Sequence, residues 1–542
     1  MSSKWAALFP KAERSKADFL LDGERTYEAI NAAMDTAKDS GHFIYILGWM
    51  LDLDIPLVRG DPHSTLINRL TDAASRGVEI RILVWDNPSP PGDYRRKLES
   101  AIDRINKLPN AKVLGDDNTF FPPQSKAVLS KLQPYVSRLL NYFLGQFRPE
   151  AAPEALKIRV GGMDMGFAVM VLLDLVTRQT LGAHHEKVTV VKGKEGLVAF
   201  CGGIDYNRNR IQASVGKVVK NFPWYHDTAC RLQGPAAHEA LQKFKLRWHH
   251  HPQAAGITLA GENEPRPKPS PDPYPFATIV GTYNSPDGKE KLRTFRSAYL
   301  AIIDAASKYI YIEDQYMVSL EIAEHLNRKI KESGFERVMF VIQDSHETSD
   351  IMIPNRKRGE FIKKVIEGTT AAQQEKVLVT LMDKRFWERD GYHPGVHAKT
   401  LIVDDEIAII GSGNVNRRSL TCDSETSVVV FSDDGMKDQS FARVFRIATW
   451  REFMRAAPSA VNFRDWRAYM AELDKGGTTF AKITKYEKDS KDDLDVTLKS
   501  YFPTYVAGSL ILGRTPDLTL RAEIDRVFDT AWEYLFEPDA GV

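Results

Sequence analysis

Hydrophobic positions along this chain change period in the same order twice. A run with helical spacing, Thr26–Lys38, leads into the apolar stretch Phe43–Leu47 and then Gly48, Trp49 and Met50; a further helical run precedes the strand-like Gly77–Asp86. In the second half, Leu292–Ser307 leads into Tyr309–Ile312 and then Glu313, Asp314, Gln315 and Tyr316; another helix precedes Gly334–Asp344. Short apolar strands alternating with helices of ten or more residues predict βαβ units. The expected fold is α/β, with two similar halves whose mostly parallel mixed sheets are flanked by helices. Between them, Pro265–Pro275 has proline at every second position, which suits an extended linker and neither helix nor interior strand. The expected division is a first half over 1–260, a linker over 261–276, and a second half over 277–542 that ends in a helical extension.

Composition narrows the partners. The 542 residues are 43% hydrophobic and 27% charged, an ordinary globular balance. Lys and Arg total 73 against 72 Asp and Glu, a net charge of +1. With no global field to grip a polyanion, an anionic substrate must be held locally, and nucleic acid is not the expected partner. Cys201, Cys230 and Cys422 are too few and too scattered for a disulfide framework or a zinc site. No metal and no cofactor are expected. The apolar stretches Ser137–Leu144 and Met163–Val176 fall short of the ~20 residues that cross a bilayer. They read as buried or amphipathic helices, or else as a surface that docks on a bilayer. The opening MSSKWAALFPKAERSK lacks the apolar core and cleavage site of a secretory peptide. The expected location is cytoplasmic or peripheral to a membrane, or outside the cell by a route without a cleaved signal.

Each half carries a His-x-Lys on an apolar strand: His185, Glu186 and Lys187 before Val188–Val191, and His397, Ala398 and Lys399 before Thr400–Val403. On a strand, residues two apart share a face about 6.6 Å from each other, so one phosphate can touch both. The second copy continues to Asp404, Gly411, Ser412 and Asn414, written H-x-K-x4-D-x6-G-S-x-N. Glycines let backbone approach a ligand, and Ser412 and Asn414 offer hydrogen-bond donors.

With these residues the chain resembles the phospholipase D superfamily and its duplicated HKD motif. His184-His185-Glu186-Lys187, Gly202-Gly203-Ile204-Asp205 and Pro223-Trp224-Tyr225-His226-Asp227 resemble the first half of the true phospholipase D branch. Ile310–Tyr316 and Asp423-Ser424-Glu425 resemble its second half, and the pattern runs from about Asp22 to about Phe453. The resemblance implies halves related by a pseudo-two-fold axis with a single active site at their interface.

Metal-free phosphodiester cleavage needs a nucleophile, a leaving-group acid and cations for oxygens that gain charge, and two His with two Lys supply that set. The resemblance implies that His185 is the nucleophile, forming a phosphohistidine, and that His397 is first acid and then base. Lys187 and Lys399 would bind nonbridging oxygens. Two downstream carboxylates can fix the imidazole tautomers: Glu425, 28 positions after His397, and Asp227, 42 after His185. Either also reads as an ordinary loop carboxylate.

The first copy departs from the pattern. Lys192 stands where Asp is expected, and His185 to Gly202 spans 17 positions against 14 from His397 to Gly411. Setting aside Lys192, Gly193 and Lys194 as an extended turn brings Glu195 opposite Asp404, and Asp205 opposite Asn414. The expectation is that Asp404 and Glu195 support the two turns, while Lys192 and Lys194 are solvated charges. Gly203 and Asp205 join Ser412 and Asn414 as substrate-binding residues. His184, His226 and the run His249-His250-His251 read as structural or surface residues, the run having a minority reading as an adventitious metal site. Trp49, Tyr316 and Phe386 line a pocket or pack in a core.

The expected function is a phospholipase D that hydrolyses glycerophospholipids such as phosphatidylcholine at a membrane surface and passes the phosphatidyl group to alcohols. A nuclease or other phosphodiesterase of the same superfamily and a catalytically impaired lipid-binding scaffold are the alternatives. Cardiolipin synthase is disfavoured by the absence of N-terminal membrane helices. The minimal chain suits a bacterial enzyme, with an immunity protein as partner if it is an exported effector.

Overall fold

The computed structural model describes residues 4–86, 93–116, 182–211, 225–342, 355–382, 395–433, 438–453, 464–468, 471 and 480–482. The stretches Ser137–Leu144 and Met163–Val176, with Pro223, Trp224 and Phe386, lie outside them.

The first sheet contains β1 Lys16–Leu21, β2 Phe43–Gly48, β3 Glu79–Trp85, β4 Ala111–Asp116, β5 Val188–Gly193, β6 Gly196–Gly202 and β7 Thr228–Gln233, in the order β1-β7-β6-β5-β2-β3-β4. The second contains β8 Phe276–Asn284, β9 Tyr309–Asp314, β10 Arg337–Ile342, β11 Val377–Met382, β12 Thr400–Val403, β13 Ile407–Gly411 and β14 Glu425–Phe431, in the order β8-β14-β13-β12-β9-β10-β11. The order and strand directions are those of the first sheet repeated. Each sheet is mixed, with its parallel part confined to β2-β3-β4 or β9-β10-β11. Those strands are joined by helical crossovers, whereas the strands around each His-x-Lys hairpin run antiparallel.

Helices α1 Asp22–Asp35, α2 Leu66–Ser75 and α3 Asp93–Ile105 cover the outer face of the first sheet. After α4 Pro235–His250, helices α5 Thr294–Ala305, α6 Leu320–Lys331 and α7 Asn355–Val365 cover the outer face of the second. Their starts are written locally: Thr65 caps α2 through the Asn68 N–H and Ser319 caps α6 through the Ile322 N–H. The inner faces meet. Val190 and Leu232 share one core with Ile402, Ile410, Val428 and Val430, together with α4 and its counterpart α8 Phe441–Phe453. Every residue of β2 and of β9 is consequently buried, which explains why Phe43–Leu47 and Tyr309–Ile312 are apolar without alternation.

One boundary differs from the expected ones. Trp5 packs in the outer core of the second half, and Glu13 and Arg14 pair with Ala277 and Phe276 on the edge of β8. The segment carrying Trp5, Glu13 and Arg14 therefore packs with the second half rather than the first, because Trp5 finds its apolar surroundings there. Further along, Phe480–Lys482 forms a strand antiparallel to β11, where it covers the sheet edge, and residues 483–542 of the expected helical extension lie outside the described residues. The proline-rich residues 264–275 form neither helix nor strand. No helix among the described residues is long and apolar enough to cross a membrane.

Close approach of strands fixes Gly411. A Cβ there would lie 1.9 Å from Ser427 Oγ and 2.5 Å from Ser427 Cα on β14. Gly411→Ala is expected to cost about 1–3 kcal/mol, the usual range for overpacking, and to lower the melting temperature by several degrees. An unchanged melting curve would contradict this packing.

Candidate active site

The two His-x-Lys segments lie immediately ahead of β5 and β12 rather than on them. Their backbone bonds are made with the other half. His184 bridges Ser424 in parallel, the His185 N–H donates to Ser424 O at 3.0 Å, and the Ser424 N–H donates to Ala183 O at 2.9 Å. In the mirror arrangement Gly395 and Val396 pair in parallel with Tyr225 and His226, and the His397 N–H donates to His226 O at 2.8 Å. Each half thus holds the reactive segment of the other.

The carboxylates cross over in the same way. His185 Nδ1 lies 3.0 Å from both Oε1 and Oε2 of Glu425, and His397 Nδ1 lies 2.6 Å from Asp227 Oδ2. Reading order along the chain suggests pairing within each half; the exchange of backbone partners reverses it. Glu425 is fixed by the hydroxyls of Ser412 and Ser419, and Asp227 by the Thr228 N–H at 2.8 Å. Lys187 and Lys399 fold back so that each ammonium donates to the carbonyl of its own histidine. Both imidazoles and both ammoniums are mostly buried in one place, a layout suited to gripping a single phosphate from two sides.

Comparison with known proteins finds relatives in both sequence and fold. Residues 299–446 match the model of the family "Cardiolipin synthase, PLD-like domain". The chain is 23% identical to phospholipase D A of Dictyostelium discoideum, over 83% of this chain and 36% of that protein. It is 23% identical to phospholipase D alpha 3 of Arabidopsis thaliana, over 83% of this chain and 66% of that one. It is 24% identical to cardiolipin synthase 2 of Staphylococcus epidermidis, over 49% of this chain and 47% of that one. The chain thus spans less than two thirds of each of these relatives. A crystal structure of phosphatidylserine synthase from Haemophilus influenzae has the same fold, with a TM-score of 0.51 at 11% identity, covering 94% of this chain and 98% of that one. The chain is thus similar to members of the phospholipase D superfamily.

The electrostatics of this site stem from its dryness. Burial, reinforced by Lys187 and Lys399, pushes His185 well below the ordinary imidazole range, and burial with Arg210 does the same to His397. Burial pushes Glu425 well above the ordinary carboxylate range and raises Asp227. Burial also lowers Lys187, and it brings Lys399 down to about 7. An arriving phosphodiester supplies the counter-charge that restores the cationic forms.

Lys399 gives a signed prediction. Between about 7 and the ordinary lysine value of 10.5 the unfolded chain holds a proton there that the folded protein does not. Stability should therefore rise with pH across that window, the charging penalty being fully present below it. Thermal melts from pH 7 to 10 should show the rise in the native protein and a flatter profile in Lys399→Met; identical slopes would contradict it.

Several sequence-derived residues stand in other roles. Ser412 gives its hydroxyl to Glu425 and accepts the Thr426 N–H at 3.0 Å, so it braces the carboxylate. At Gly203 a Cβ would lie 2.1 Å from Asp227 Oδ1, so the missing side chain makes room for that carboxylate. Asp205 accepts the Met50 N–H at 2.8 Å, and burial raises it to about 6 despite the charge of Lys187. Asn414 is buried with its Oδ1 unpartnered among the described residues.

Asp404 accepts the N–H groups of Ser307, Lys308 and Tyr309 at 2.7, 2.8 and 3.0 Å, pinning the start of β9 to the hairpin turn. Glu195 does not take this place in the first half. It lies at the tip of a tighter turn, half exposed, against Arg231. The additional length lies in the strands: β5 and β6 form six pairs where β12 and β13 form four, with two turn residues instead of three. Lys192 faces Phe43 as Asp404 faces Tyr309, and it pairs with Glu264 rather than with solvent.

Other neighbours carry weak sequence signals. His226 is fully buried between Asp22 Oδ1 at 3.0 Å and Glu313 Oε2 at 3.3 Å. Burial opposes its charging, but the two carboxylates outweigh this and raise it well above the usual range. Asp22 also accepts the Asp227 N–H and has a left-handed φ of 60°, a strained backbone held where it supports the site. His184 is buried, 2.9 Å from Asp116. His249, His250 and His251 face Glu262, the Tyr283 hydroxyl and the Gly115 carbonyl respectively, three separate directions that do not converge on a metal. Trp49 lies edge-on to His185 at 5.0 Å and so borders the site, whereas Tyr316 is anchored by its N–H to Asp314. Arg418 is held in a two-pronged pair with Asp423, whose other bond is to the Ala183 N–H.

Proposed function

We propose that the chain transfers phosphatidyl groups: it cleaves the head-group phosphodiester of a glycerophospholipid through a phosphohistidine and passes the phosphatidyl group to water or an alcohol. The observation that carries this reading is the exchanged pairing of His185 with Glu425 and of His397 with Asp227.

With Nδ1 held by Glu425, His185 attacks phosphorus through Nε2. A P–N bond forms as the P–O bond to the head group breaks, and the departing alkoxide takes a proton from His397. Asp227 stabilises the imidazolium that His397 is before that transfer. Lys187, Lys399 and the Asn414 amide serve the nonbridging oxygens, where charge gathers in the trigonal-bipyramidal transition state. In the second half-reaction His397 takes a proton from the acceptor, whose oxygen displaces His185 from phosphorus. Water as acceptor yields phosphatidic acid; an alcohol yields a new phospholipid. Relatives named phospholipase D and cardiolipin synthase support phospholipid chemistry over nucleic-acid cleavage.

The test is purified protein with mixed phosphatidylcholine and phosphatidylglycerol vesicles in dilute ethanol. Phosphatidylethanol and phosphatidic acid are the expected products. Vesicle binding without turnover, or cleavage of DNA in place of lipid, would overturn the reading.

A further inference from the structure

Phosphatidyl transfer by the two histidines and two lysines gives the nearby Arg210 no part, and a role for it at the head group presupposes that reaction. Arg210 ends a short turn, Arg208–Arg210, that comes after the Gly203 and Asp205 segment. Its backbone is fixed: the Arg210 N–H donates to Asn207 O at 2.9 Å, and its carbonyl is seated so tightly on α1 that a Cβ at Gly23 would lie 1.4 Å from it. The guanidinium lies over the Tyr225 ring at 4.4 Å, with Nε 3.6 Å from Asp227 Oδ2. Its Nε and Nη1 are buried without a hydrogen-bond partner among the described residues.

This placement bears on the head group. If His397 protonates the departing oxygen, the head group leaves on the His397 side. A quaternary ammonium is recognised by aromatic faces and by carboxylates. On that side Tyr225, edge-on to His397 at 6.3 Å, already has a cation on its face, and Asp227 is engaged by His397, Thr228 and Arg210. The groups that would welcome choline are occupied by a charge of the same sign. Guanidinium N–H groups instead suit hydroxyl or anionic oxygens, and an arginine keeps its charge at any working pH.

We propose that Arg210 sets head-group selectivity, admitting glycerophospholipids with an uncharged or anionic head group, such as phosphatidylglycerol, and disfavouring quaternary ammonium head groups such as choline. Competition within one vesicle keeps the surface the same for both lipids. In equimolar phosphatidylglycerol and phosphatidylcholine vesicles, the native protein should release glycerol over choline by about 10-fold or more, since a like-charge mismatch is costly. Arg210→Gln should shrink that ratio at least several-fold, and Arg210→Lys should retain most of it; because each ratio is read within one protein, lowered total activity does not obscure it. Equal or greater choline release by the native protein, or an unchanged ratio in Arg210→Gln, would overturn the inference while leaving phosphatidyl transfer intact. Release of neither head group would overturn phosphatidyl transfer itself and the inference with it.

Discussion

Replacing His185 with glutamine is expected to lower turnover by about 10⁴-fold or more, the scale on which removal of a nucleophile acts within a catalytic unit. His397→Gln should be of similar severity. The double replacement should cost little more than either single one, because both imidazoles serve one phosphorus centre and neither half-reaction proceeds without the pair. Two sites working independently would instead leave about half the activity in each single variant. Steady-state rates on phosphatidylglycerol vesicles, with circular dichroism to confirm folding, separate the two outcomes. The geometry behind the expectation is that each histidine segment is hydrogen-bonded into the opposite half.

The crossed carboxylates give the second large effect. Asp227→Asn and Glu425→Gln should each reduce turnover by about 10²–10⁴-fold, the cost of losing the partner that fixes an imidazole's tautomer. They should differ in which step suffers. With bis(p-nitrophenyl) phosphate the leaving group needs no proton, so the single-turnover burst of nitrophenolate bypasses the acid. Asp227→Asn, which acts through His397, should recover most of its burst rate on that substrate; Glu425→Gln, which acts through the nucleophile His185, should not. The reverse pattern would mean that the carboxylates serve the histidines of their own halves.

The repeat of strand and helix was legible because the stretches Phe43–Leu47 and Tyr309–Ile312 are buried on both faces and therefore continuously apolar, and because the crossover helices keep amphipathic spacing. The four His-x-Lys residues were legible from motif spacing alone. Their partners were not assignable, since pairing Glu425 with His185 depends on the parallel contact of Ser424 with His184, which spans 240 positions of sequence. Glu195 was misplaced for a similar reason. Sequence spacing counts residues, whereas the longer β5–β6 hairpin absorbs the excess as strand, so the register carries Lys192 into the position of Asp404. Ser412 and Gly203 looked like ligand contacts in a glycine-rich turn; packing makes one a brace for a carboxylate and the other a space for one. Arg210 has no spacing signature, and its position became visible only once Tyr225 and Asp227 stood beside it.

Phosphatidyl transfer at this site depends most on a covalent intermediate at the histidine held by Glu425. Rapid alkaline quenching of the native enzyme with a short-chain phosphatidylglycerol, then mass spectrometry of its peptides, reads this directly. The expected result is a phosphatidyl mass on the peptide that contains His185, absent from His185→Gln. Turnover with no adduct, or an adduct on His397 alone, would contradict it.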